Sequence, residues 1–128
     1  MKRHERGTRA KTVGVVAALL VLLPCSRIIY VRLRGIEVQV HNVDAVTLPH
    51  VAIDLRGERY ELGDIPPGGT ATTHVHPEVD CHIELVLPAG HPAYGYYEAG
   101  AHGTMYIDVT SSRMINVVER VASRYEPW

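Results

Sequence analysis

IEVQVH, residues 36–41, is the stretch that decides the fold, because Ile36, Val38 and Val40 alternate strictly with Glu37, Gln39 and His41. A period of two puts the apolar side chains on one face of an extended chain and the polar ones on the other. A half-buried strand therefore begins here. The same cadence recurs downstream: Leu48, Val51, Ile53 and Leu55 alternate with Ala52 and Asp54, and Arg56-Gly57-Glu58-Arg59 reverses the chain into Tyr60-Glu61-Leu62. Thr70 to His76 reads as a further strand, and so does Cys81 to Leu87, with Cys81, Ile83, Leu85 and Leu87 facing inward. Tyr94 to Tyr97 makes an aromatic strand, Met105, Ile107 and Val109 alternate with polar neighbours, and Met114 to Val118 closes the series. The tail from Glu119 to Tyr125 reads as one or two helical turns or a frayed end.

The punctuation fits this reading. Asn42 to Ala45, Pro77 to Asp80 and Pro88 to Pro92 are turn-rich, and Gly63-Asp64-Ile65-Pro66-Pro67-Gly68-Gly69 predicts a break through which no regular element runs. Seven or eight short strands at such spacing, with no helical period after residue 34, predict an all-β, antiparallel, immunoglobulin-like sandwich.

The runs YELGDIPPGGTATTHVHP (60–77), CHIELVL (81–87) and YYEAGAHGTMYIDV (96–109) resemble small immunoglobulin-like domains of uncharacterised bacterial membrane-anchored proteins. In that family, strands flank an LGxIPPG-type turn, and a glycine-bearing segment precedes a late strand. The resemblance extends over Ile36 to Val118 and implies a fold and an envelope setting. It brings no catalytic residues.

The N-terminal stretch sets the compartment. Residues 1–11 carry five Lys and Arg against Glu5, and Val13 to Leu23 is an uncharged run of eleven residues. This is the pattern of an export signal or, if the helix continues to Val31, of a retained signal anchor. Residues 12–31 are then the membrane contact, 1–34 the n-region, anchor and short linker, and 35–128 the β-domain. Lys and Arg number five before the segment and three after it (Arg27, Arg32, Arg34), which predicts a single-pass protein with a cytoplasmic N-terminus and the β-domain outside. Cleavage would instead release a secreted domain. Pro24 before Cys25 departs from the small residue that lipoprotein signals use.

From Gly35 onward five Arg face thirteen acids, a formal charge of −8 with His neutral. Such a field repels phosphate backbones, so nucleic acid is not the expected partner. Cys25 and Cys81 offer no disulfide framework inside the domain, and Cys81 reads as a buried small hydrophobe. With no Phe in the chain, tyrosine must supply bulk. Tyr96 and Tyr106 are predicted core residues, while Tyr94, Tyr97 and Trp128 are open between core and an aromatic patch.

Seven histidines follow residue 35, and His74-Val75-His76 with Asp80, His82 and Glu84 is the suggestive group. Residues two apart share a face of a strand, so His74 pairs with His76 and His82 with Glu84. A hairpin that set His76 opposite His82 would gather imidazoles and carboxylates suited to Zn²⁺ or Cu²⁺. The other reading is a set of solvated strand faces. The spacing Gly68, His74, His76 also resembles the first cupin metal motif, although Asp80 stands where Glu belongs and His91 follows Pro88-Ala89-Gly90 directly. No Gly-x-Ser-x-Gly, phosphate loop or His-Glu-x-x-His occurs.

The expectation is a non-enzymatic binding or scaffolding module at the cell envelope with a protein partner and no cofactor. The alternatives are a Zn- or Cu-binding envelope protein and a cupin-like metalloenzyme.

Overall fold

The computed structural model describes residues 35–123 and, ahead of them, helical residues 15–18, 20, 22–26, 29 and 33. The predicted anchor at 12–31 lies partly outside the described residues, and Trp128 wholly so. The chain divides into two compact units, Met1–Val31 and Arg32–Trp128. In the first, the helical residues Val15, Val16, Leu20, Leu22 and Leu23 are exposed apolar chains, and the Ser26 hydroxyl donates to the Leu23 carbonyl at 2.8 Å. Among the described residues no helix is long and apolar enough to cross a membrane.

The second unit holds eight strands: β1 (Ile36–Asn42), β2 (Leu48–Leu55), β3 (Glu58–Ile65), β4 (Thr70–Val75), β5 (Cys81–Val86), β6 (Ala93–Tyr97), β7 (His102–Val109) and β8 (Met114–Ala122). They form two four-stranded sheets, in the orders β4-β1-β7-β8 and β3-β2-β5-β6. The alternation read from the sequence selects what lies between them. Ile36, Val38, Val40, Val75, Met105 and Ile107 from the first sheet meet Leu48, Ile53, Ile65, Ile83 and Leu85 from the second, each at most 1% exposed. Burying each such side chain contributes about 1.5–3 kcal/mol before the entropy of ordering it is set against it. Cys81 lies in this core at 4% exposure, and burial pushes its thiol pKa up.

Three expectations about the strands are corrected. The sandwich is not wholly antiparallel, because β1 pairs with β7 in parallel from Ile36 opposite Gly103 to Asn42 opposite Val109. The chain between them traverses the other sheet, so no tight turn dictates their relative direction. Residues 63–65 belong to β3, since a register shift with Gly63 at φ +77° absorbs the extra residue without ending the strand. Likewise β8 extends to Ala122, opposite His102, because the full length of β7 is available to pair with it. The partition also differs from that of immunoglobulin constant domains, where the first two strands share a sheet: here β1 and β2 lie in different sheets.

The two tyrosines predicted for the core lie outside it. Along β6, Tyr94 pairs with Ile83 and Tyr97 with Cys81, so three steps on one strand match two on the other. Gly95, at φ +66°, supplies this bulge, which turns Tyr97 inward (6% exposed) and leaves Tyr96 outside (62% exposed). Tyr106 sits between the inward Met105 and Ile107 and so faces outward, half-exposed.

Candidate functional site

The outer face of the first sheet carries an ordered set of polar side chains. Strand registers set its side chains in three cross-strand rows. Along β4, β1, β7 and β8 the first runs His74, Glu37, Thr104, Arg120, the second Thr72, Gln39, Tyr106, Val118, and the third Thr70, His41, Asp108, Asn116. Neighbouring strands stand about 4.8 Å apart, so the four span roughly 15 Å from edge to edge.

The carboxylates of this face are wired to their neighbours. His41 Nδ1 lies 2.8 Å from Asp108 Oδ1, and Asn116 Nδ2 donates to Asp108 Oδ2 at 3.5 Å. Gln39 Nε2 donates to Glu37 Oε1 at 2.8 Å, while His74 Nε2 stands 3.3 Å from Glu37 Oε2. The His74 nitrogen is itself buried and makes no aligned hydrogen bond. The His41 and Tyr106 rings are tilted against each other at 6.0 Å.

Electrostatics follow from these contacts. The hydrogen bond from His41 holds the Asp108 carboxyl below its ordinary value, against the opposing effect of burial and with help from Asn116 and Tyr106. Burial, then the Asp108 charge, raises the Tyr106 phenol, which therefore stays protonated and able to donate. With Nδ1 given to Asp108, His41 keeps Nε2 as a second hydrogen-bonding atom, an acceptor when the ring is neutral.

The predicted metal group is dispersed by the sheet topology. His74 lies in the first sheet, opposite Glu37, whereas His82 and Glu84 lie on β5 in the second. β4 and β5 form no hairpin, because the chain crosses from one sheet to the other between them. His76 falls beyond the end of β4, exposed, with its backbone N–H 3.5 Å from the Tyr60 hydroxyl. Asp80 accepts from the Ala99 N–H at 3.0 Å and from the Tyr96 hydroxyl at 3.2 Å. His82 bonds the Gly95 carbonyl and packs edge-on against Tyr96 at 5.5 Å, and Glu84 pairs with His91 at 3.3 Å. Among the described residues no three His, Cys, Asp or Glu side chains are grouped to hold a metal ion. The cupin-like spacing fails structurally too, since His74 faces away from the apolar interior.

Sequence reasoning passed over Glu37, Gln39, His41, Asp108 and Asn116. Their shared parity was readable, but their convergence depends on the parallel β1–β7 pairing, which no local signal announces. No family model matches the chain, and neither does a curated protein or a solved structure.

Proposed function

We propose that the chain is a non-enzymatic binding module of the cell envelope, membrane-anchored or exported through residues 12–31, with the outer face of its first sheet as the binding surface. The observation that carries this reading is the wired polar grid. Glu37 and Asp108 are held in fixed positions by Gln39, His41 and Asn116, so donors and acceptors are ordered before any ligand arrives. The apolar run before the domain supports the envelope setting. The two-sheet architecture fits an immunoglobulin-like module in the broad sense, which presents a face rather than a catalytic cleft.

The test is retention by isolated envelope material. Full-length protein is mixed with envelope fragments and pelleted, alongside the double variant Gln39→Ala/Tyr106→Ala and the control Glu84→Gln on the other sheet. Saturable retention that the double variant loses and the control keeps is the expected result. Equal retention of all three proteins overturns the assignment of the face.

A further inference from the structure

We infer that the outer face of the first sheet recognises a neutral, hydroxyl-rich ligand, a glycan chain, laid across β1 and β7 with Tyr106 as its platform. The inference rests on the binding-module reading and names the ligand class of the same site.

Charge on the two sheets is the first argument. Asp54, Glu58, Glu61, Asp64 and Glu84 stand on strands of the second sheet against Arg59, and Asp54 lies directly opposite Glu84. On the outer face of the first sheet, by contrast, each carboxylate stands beside an imidazole, Asp108 with His41 and Glu37 with His74. With His neutral, the rows of this face hold Glu37 and Asp108 against Arg120, a formal −1, whereas the strands of the second sheet hold five acids against Arg59, a formal −4, so most of the acidic charge lies away from this face. An anionic ligand would meet a single Arg120 at the β8 edge within a domain of formal charge −8, and a basic partner would be drawn to the second sheet.

Side-chain chemistry is the second argument. A sugar ring presents vicinal hydroxyls, each both donor and acceptor, on its rim, and C–H groups on its faces. Carboxylates and amides side by side answer the rim, and an aromatic ring answers the face. The middle row supplies Gln39 beside the half-exposed ring of Tyr106, with Glu37 and Asp108 in the flanking rows and exposed Thr72 and Thr104 around them. The ring is backed by His41 at 6.0 Å, and the neighbouring Asp108 charge helps to keep its phenol protonated.

The test is two-dimensional NMR of the full chain in a zwitterionic detergent without a sugar headgroup, titrated with neutral hexasaccharides of gluco-, manno- and galacto-configuration and with an oligogalacturonate. Binding by at least one neutral hexamer is expected, with Kd at or below about 1 mM and shifts concentrated at residues 37–41 and 104–108. Tyr106→Ala is expected to weaken it by about tenfold or more, while Tyr106→Phe retains most of it. Thermal unfolding checks that the variants fold, and the shift map of the unaltered chain decides the matter if one does not. Three results overturn the inference: no shift with any neutral hexamer at about 10 mM, shifts confined to the second sheet, or stronger binding of the anionic oligomer. Should the hexamers fail while envelope retention still depends on Gln39 and Tyr106, the glycan assignment falls and the binding module stands.

Discussion

Asp108 and His41 hold each other at 2.8 Å, and that contact makes a measurable contribution of definite sign. Because His41 lowers the folded carboxyl pKa from 3.8, the native state gives up its proton more readily than the unfolded chain does. The resulting stabilisation is complete above the unfolded value and is lost as pH falls through the folded one. Asp108→Asn is therefore expected to lower stability at about pH 6 and to converge on the unaltered protein toward about pH 2, measured by urea denaturation across pH. An equal deficit at both ends would assign the effect to packing. Gly103 tests the backbone in the same way. Its φ is +143°, and a Cβ there would meet the Arg120 carbonyl and stand 2.9 Å from Val121 Cα. Gly103→Ala is expected to destabilise by about 2–4 kcal/mol, visible as a Tm lower by roughly 10 °C or more. A shift of a degree or two would mean that β8 can move away at little cost.

The strand β6 shows where reading from sequence stopped short. Alternation alone puts Tyr94 and Tyr96 on one face, and the bulge at Gly95 instead pairs Tyr94 with Tyr97 in facing the core. The glycine between the tyrosines was the visible signal, but an isolated glycine marks a bulge only when the partner strand fixes the register. Once inward, the Tyr97 hydroxyl needs a partner, and Glu119 on β8 provides it at 2.5 Å across the two edge strands. Burial, then this carboxylate, raises the phenol pKa, so the proton stays on Tyr97. Tyr97→Phe is expected to cost about 1 kcal/mol, the net worth of a hydrogen bond, while Tyr96→Phe on the exposed side stays within about 0.5 kcal/mol. Chemical denaturation of the two variants compares them directly, and the reverse ranking would mean that the Tyr96–Asp80 hydrogen bond outweighs the Tyr97–Glu119 one. Gly95→Ala, whose Cβ would stand 2.6 Å from the Tyr97 ring, should disturb the same pair and change the near-ultraviolet circular dichroism.

At the scale of the whole molecule, alternation along each strand announced the sandwich and topology decided what it carries. Period-two faces were legible because burial acts locally on each strand. The assignment of β4 and β5 to different sheets was not, because it depends on the long-range pairing of β4 with β1, and that pairing separated His74 from His82. The same topology concentrates acids on the second sheet, where Asp54 stands opposite Glu84 on one side and opposite Arg59 on the other. Like charges placed opposite are destabilising, and a domain of formal charge −8 repels itself as a whole. Salt screens such repulsion over about 10 Å at 0.1 M. At about pH 8 the Tm of the protein is therefore expected to rise as sodium chloride increases from about 20 mM to about 500 mM. Arg56 and Arg59 near the β2–β3 turn are too few to reverse that sign. A Tm that falls with salt would mean that attractive pairs outweigh the repulsion. The acidic sheet would then be a stabilising network, and the contrast in charge between the two faces would lose its energetic basis.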